Sequence, residues 1–293
     1  MTTTSVDMPD AIAAHRLPAT AGKANFAGAL RSEFTKIRSV RSTYWSLFAL
    51  AVITIGIGAL ASWGATKHGM RGPNFDPTMQ SLGGLYLSQL VIGVLGVIVI
   101  TSEYSTGMIR TTLTTMPRRG TMIAAKAIVF ALVTFVTGLI TCFVSFFVGQ
   151  ALMSGHHRFA IGTNGPVPTS VALNTTLSQP HVLRAVIGGA LFLTVCGLIA
   201  FGIGLLVRHT AGGITIVVAL LFVISILVNL LPQSWQNDVD KWIPGQAGAQ
   251  IWTTVPSQGT PALFAPWNGF AVFCGYAAIA LIAGLYFFHK RDA

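Results

Sequence analysis

Six apolar runs, each long enough to cross a bilayer and each free of Asp, Glu, Lys and Arg, dominate this chain: Ser42–Thr66, Pro77–Ser102, Ala127–Gly155, Ala185–Val207, Thr210–Asn237 and Trp267–Phe288. A helical span needs roughly 20 predominantly apolar residues. In lipid every backbone polar group must find its partner inside the segment, so runs of this length specify helices. The span cores are expected near 43–63, 82–101, 124–149, 184–206, 212–231 and 267–288. Only 9% of the 293 residues are charged, against about a quarter in soluble domains. The fold class is an all-α integral membrane protein.

What the spans lack constrains function. None carries a charge near its middle, whereas transporters driven by an ion gradient usually place ionisable groups at depth or break their helices at matching positions in two halves. A membrane-embedded hydrolase or acyltransferase needs a nucleophile with a base, or a metal site. The spans offer Ser and Thr with no His or Asp partner. A phosphate-binding loop is missing too: Gly22-Lys23 is followed by Ala24, and Leu17 stands where its first glycine belongs. Such a chain is the passive half of a machine whose energy comes from another subunit.

The formal charge of +10 does not indicate nucleic acid. An even number of spans places both termini on one side. With the N-terminus inside, Arg16, Lys23, Arg31, Lys36, Arg38, Arg41, Arg110, Arg118, Arg119, Lys126, Arg208, Lys290 and Arg291 are cytoplasmic. Lys67, Arg71, Arg158, Arg184 and Lys241 are then outside, a division that follows the positive-inside rule. Residues 1–25 lack the apolar stretch of a signal peptide and are expected to form a disordered cytoplasmic tail. Cys142, Cys196 and Cys274 fall within spans, where no structural disulfide is expected. His156 and His157 have no Cys or carboxylate nearby, so no metal site is expected. Asn174-Thr175-Thr176 matches a glycosylation acceptor, a short pattern that matters only in a glycosylating host.

Between the spans, four segments carry information. Residues 26–41 place Phe26, Leu30, Phe34, Ile37 and Val40 at helical spacing, with Arg31, Lys36, Arg38 and Arg41 largely off that face. An interfacial helix follows from this pattern, either as a basic anchor for the first span or as an elbow bordering a partner. Arg208-His209-Thr210 is a tight turn that makes spans four and five antiparallel neighbours. Small-residue stripes (Thr134, Gly138, Cys142; Cys196, Ala200, Gly204) suit close helix packing within one subunit, with a dimer interface or conduit wall as the alternative. The outer stretch 232–266, with Trp235, Trp242 and Trp252, and Trp267 just after it, reads as re-entrant or surface-lying and partly helical. Its tryptophans are expected at the headgroup level.

The fourth segment, 101–120, follows span two. Glu103 is the lone acid of the inter-span inner loops. Met108, Ile109, Leu113 and Met116 form a short amphipathic helix ended by Pro117, and Arg110, Arg118 and Arg119 crowd the membrane exit. A short helix projecting between two spans can dock into a groove on a soluble partner and couple to it mechanically.

LRSEFTKIRSVRSTYW before span one and SEYSTGMIRTTLTTMPRRGTMIAAK between spans two and three resemble the permease subunits of ABC-2 type ATP-binding cassette exporters, with an actinobacterial flavour. The resemblance implies a type V exporter-like fold of six transmembrane helices with an N-terminal amphipathic elbow helix. It implies an ATPase-coupling interface at Glu103, Tyr104, Gly107, Met108, Arg110, Leu113, Arg118 and Arg119, and an elbow comprising Phe26, Leu30, Arg31, Phe34, Lys36, Ile37, Arg38 and Arg41. The implied partners are an ABC ATPase subunit that binds ATP and Mg, and a second copy or a paralogous permease. No cofactor is expected on this chain. The implied location is the plasma (inner) membrane, with outward movement of an amphipathic or apolar cargo. A non-exporting complex for sensing or immunity, using the same ATPase, is the alternative.

Overall fold

The computed structural model describes residues 26–67, 75–105, 119–161, 168–255 and 264–290. Helix α1 (Phe26–Ser39) ends at Val40, and α2 (Arg41–Lys67) is the first of six helices long and apolar enough to span a membrane. Asp76 then caps the short α3 (Pro77–Ser81): its Oδ1 accepts from the N–H groups of Thr78 (2.9 Å) and Met79 (3.1 Å) while Pro77 supplies the preset φ of a first helical turn. The second and third membrane helices are α4 (Leu85–Ser105) and α5 (Arg119–Met153). A hairpin of β1 (His157–Ile161) and β2 (Pro168–Ala172) pairs His157 with Ala172. The remaining membrane helices are α6 (Val182–Val207), α7 (Thr210–Val228) and α10 (Pro266–Lys290). Between the last two lie α8 (Gln233–Val239) and α9 (Pro244–Ala249), each followed by a single 3-10 turn.

The six-span all-α bundle expected from the apolar runs is therefore present, with a small hairpin on one end that those runs do not reveal. The hairpin was hidden because its strands are only five residues each and sit in a Gly/Pro-rich stretch.

The middle of the bundle is α6. In its most apolar stretch 78% of residues are buried, against 22% for α2, 22% for α7 and 17% for α10. Those three turn broad apolar faces outward, as lipid contact requires. Packing on α6 is tight because small residues meet backbone. A Cβ added at Gly96 of α4 would stand 2.6 Å from the Gly197 carbonyl oxygen, and one added at Gly202 would stand 2.6 Å from the carbonyl carbon of Ala280 on α10. The small-residue stripes are thus internal seams: Gly138 and Cys142 of α5 lie against Ala190 and Gly189 of α6, and Gly204 lies against Val97 and Ile100 of α4. All three cysteines are free. At the α6–α7 turn Arg208 adopts φ 58°, and His209 accepts from the Gly212 N–H at 3.3 Å, so the chain reverses within two residues as expected.

One tryptophan corrects the headgroup reading. Trp235, Trp242 and Trp267 are exposed, but Trp252 is fully buried. Its ring packs edge-on to Tyr86 at 5.0 Å and near Phe192 at 6.4 Å. The segment after α9 dips into the bundle and plugs it against α6, where Gly188 lets the Ile251 backbone approach closely.

Candidate coupling junction

Four charged side chains from three elements converge at the end of the bundle that carries α1. Glu33 and Lys36 sit one turn apart on α1, Glu103 lies near the end of α4, and Lys126 lies two turns into α5. Lys126 Nζ donates to Glu33 Oε2 at 2.6 Å and to Glu103 Oε1 at 2.8 Å. Lys36 Nζ donates to Glu33 Oε1 at 2.9 Å and reaches Glu103 Oε1 at 3.4 Å. The side chains of Glu33, Glu103 and Lys126 are 3%, 8% and 4% exposed, while Lys36 is 35% exposed. Two carboxylates and two ammoniums balance formally, which is what makes burial of Glu33, Glu103 and Lys126 tolerable. Burial is the largest influence on Lys36 and pulls its pKa down. The hydrogen bond to Glu33 and the charges of both glutamates outweigh it and hold the ammonium above the ordinary lysine value of 10.5.

This cluster fixes α1 to the bundle. Ala29, Glu33 and Ile37 face inward, while Phe26 and Phe34 are exposed. The apolar stripe is split: Ile37 packs against the bundle, while Phe26, Phe34 and Val40 are exposed. Phe26 and Phe34 point away from the bundle, and the inner face is centred on a charge. Of the remaining elbow residues, Leu30 is half-buried, and Arg31, Arg38 and Arg41 are exposed.

Beside the cluster the same end is closed by a second contact. The Arg208 guanidinium lies 5.3 Å over the Tyr104 ring and 5.9 Å from that of Phe288, and its Nη2 donates to the Phe287 carbonyl at 3.3 Å. Thr210 donates to the Thr101 hydroxyl at 2.9 Å, tying the start of α7 to the end of α4.

The expected coupling residues thus divide. Glu103 and Tyr104 are brought together, but both are turned into the bundle rather than displayed for docking: Glu103 into the ion cluster, Tyr104 against Arg208. Arg119 opens α5 and its side chain lies outside the described set, as do residues Gly107, Met108, Arg110, Leu113 and Arg118 entirely. Glu33 and Lys126 were missed. Glu33 carried a weak signal, as the lone acid of residues 26–41 placed three before a lysine. Lys126 carried none, because the positive-inside rule already accounted for it.

At the opposite end a separate seam of polar groups is hydrogen-bonded between helices. Ser145 donates to the carbonyls of Ser81 (2.6 Å) and Thr54 (3.2 Å), Gln150 donates to the Ser81 hydroxyl (2.8 Å), and the Thr54 and Ser88 hydroxyls meet at 2.6 Å. Interhelical hydroxyl and amide contacts of this kind glue membrane helices. Asp76 closes the seam, its Oδ2 accepting from the N–H groups of Thr254 (2.7 Å) and Val255 (3.2 Å). Among the described residues no group of three or more His, Cys, Asp or Glu could hold a metal ion.

A family model described as ABC-2 family transporter protein matches residues 29–178, just over half of the chain. The match runs from α1 through β2 and includes all four residues of the ion cluster. A search of the curated proteins returned no match.

Proposed function

The chain belongs to the ABC-2 family of transporter proteins, so it is the membrane subunit of an ABC transporter whose ATPase is a separate subunit, and we propose that it works as an exporter permease. In this reading it moves an amphipathic or apolar substrate outward across the plasma membrane, with both termini cytoplasmic. A second copy or a paralogous permease completes the conduit, and ATP and Mg bind to the partner ATPase.

The observation that carries the mechanism is the buried ion cluster. The connector 106–118 joins α4 to α5, and Glu103 and Lys126 flank it on those two helices. Motion delivered to the connector by the ATPase is passed to α4 and α5 together, and through Glu33 to α1. Buried, mutually hydrogen-bonded charges resist independent movement of the helices that hold them, because separating them strands a charge away from water. Gly107, Met108, Arg110, Leu113, Arg118 and Arg119 keep their proposed role as the surface that meets the ATPase. Glu103 and Tyr104 act one layer behind it, as positioning residues.

The test is to co-express the tagged chain with the ATPase encoded nearest its gene, purify in mild detergent, and measure co-elution and ATP turnover. Co-purification with turnover that depends on the membrane subunit, followed by ATP-driven accumulation of an amphipathic cargo in inside-out vesicles, is expected. A chain that elutes alone and stays inert with each candidate ATPase refutes the reading. Glu103→Ala and Arg110→Glu should leave membrane insertion intact and lower stimulated turnover.

A further inference from the structure

We propose that the cavity between α1 and the membrane helices holds the phosphate head and the first part of one acyl chain of an anionic phospholipid. The cavity encloses about 340 Å³ between α1, the start of α2, the second half of α4 and Lys126 of α5. That volume lies in the range of small-molecule sites. Ile37, Val40, Leu95, Ile98 and Val99 form an aliphatic wall that runs along α4 away from Glu103. Because α4 is a membrane span, this wall faces the level of acyl chains. The other end is polar, lined by Lys36, Lys126, Glu103 and the hydroxyl residues Ser42 and Thr43.

The ion cluster is neutral as a whole, but its members are unequally accessible. The Lys36 side chain is 35% exposed, whereas those of Glu33 and Glu103 are 3% and 8% exposed. A ligand entering the polar end therefore meets an ammonium with its carboxylates behind it. An ammonium has three donors. Lys36 gives two of them to Glu33 and Glu103, at 2.9 and 3.4 Å, which leaves one. Thr43 supplies another: the residue is 6% exposed and lines the cavity, and its hydroxyl has no hydrogen-bond partner among the described residues. Unlike the hydroxyls of Ser62 and Thr78, it is not sealed inside the bundle. Ser42 and Thr43 also stand in the first turn of α2, where free N–H groups and the positive end of the helix dipole favour an anion. Arg38 and Arg41, both exposed, alternate along the chain with the lining residues Ile37, Ser39, Val40 and Ser42. The lone acid of α1 and α2 is the buried Glu33. Donors and accessible cations beside an aliphatic wall fit a phosphate diester on a hydrocarbon chain. The unopposed arginines favour a lipid with net negative charge, since each basic residue near such a head adds roughly fivefold in affinity. The inference rests on the membrane placement of α4 and not on the direction of transport, so a binding measurement passes or fails independently of the export reading.

The experiment uses the full chain in phosphatidylcholine nanodiscs containing a trace of phosphatidylglycerol with a diazirine in its acyl chain. Photolabelled residues are mapped by peptide mass spectrometry, and labelling of α4 around Leu95–Val99 is expected. Doped in at equal mole fraction, unlabelled phosphatidylglycerol should displace the probe at least about tenfold more effectively than phosphatidylethanolamine. Inorganic phosphate should not displace it. Lys36→Gln should lower the preference for phosphatidylglycerol about fivefold, whereas Arg31→Gln, which removes an exposed charge of the same helix outside the cavity lining, should leave it unchanged. Because Lys36 belongs to the ion cluster, two variants that keep every charge provide the second arm. Thr43→Val should weaken the labelling, and Ile98→Trp, which fills the cavity, should abolish it. Equal competition by the two lipids, equal losses in Lys36→Gln and Arg31→Gln, labelling unchanged by Ile98→Trp, or displacement by inorganic phosphate would overturn the proposal.

Discussion

Replacing Lys126 with Met is the sharpest perturbation of the junction. Its Nζ holds Glu33 Oε2 at 2.6 Å and Glu103 Oε1 at 2.8 Å, and neither glutamate side chain is more than 8% exposed. Removing it leaves two buried carboxylates sharing one half-exposed lysine. Removing one partner of a buried pair costs about 3–5 kcal/mol, most of it the penalty of the stranded charge. The equivalent loss at Lys36 should be far smaller, about 0–1 kcal/mol, because that side chain is 35% exposed and its geometry to Glu103 is longer. If stranded charge is the cause, neutralising the acceptors must repair the damage. Lys126→Met combined with Glu33→Gln and Glu103→Gln should recover most of the lost stability, a non-additivity of the kind expected within one network. Reversible unfolding in dodecylmaltoside–SDS mixed micelles, followed by the fluorescence of the buried Trp252, reports all of these variants. A single Lys126→Met variant within about 1 kcal/mol of wild type, or a triple variant less stable than the single one, would refute the electrostatic reading of the cluster.

Three further outcomes follow. The ammonium of Lys36 is held above 10.5, so its contribution is complete below that value and is lost only as pH rises through the elevated pKa. The stability difference between wild type and Lys36→Met should therefore be constant from about pH 6 to 9, and a difference that disappears by pH 9 contradicts this assignment. Asp76→Asn removes the charge that draws in the Thr254 and Val255 amides; a loss of about 1.5–3 kcal/mol and faster hydrogen exchange at those two amides are expected, and unchanged exchange contradicts the latch. At Gly84 an added Cβ would stand 2.3 Å from the Thr54 carbonyl oxygen, so Gly84→Ala should cost about 1–3 kcal/mol in the same unfolding assay. Gly56, with nothing within 4 Å, is the control and should tolerate Ala.

The sequence exposes the bundle more readily than the junction, for a physical reason. Spans are set by local composition, so six charge-free runs reveal six helices, and Arg208-His209-Thr210 reveals the reversal between two of them. The small-residue stripes were legible as seams because close backbone approach demands small side chains wherever it occurs. Pairing of charges is non-local. Nothing in the spacing links Glu33 to Lys126, 93 positions on, or shows that Glu103 turns inward. The stripe of Phe26, Leu30, Phe34 and Ile37 reads as the apolar face of an interfacial helix; Phe26 and Phe34 are exposed, and what the spacing does not reveal is that the other side packs on the bundle through Ala29 and Glu33. Trp252 misleads: tryptophan prefers the interface on average, yet here the chain after α9 carries it inside, against Tyr86 and Phe192.

The central claim is that α1, the end of α4 and the start of α5 move as one body when the ATPase closes. Distances between spin labels test it directly, without knowledge of the cargo. Labels at the exposed positions Arg31 on α1 and Ala124 on α5, in the complex with its ATPase, should keep their separation between the nucleotide-free and the ATP–vanadate states. Labels at Arg31 and Ile216, the latter exposed on α7, should change theirs. A shift between Arg31 and Ala124 as large as that between Arg31 and Ile216 would show that the ion cluster does not bind the three helices into one moving unit.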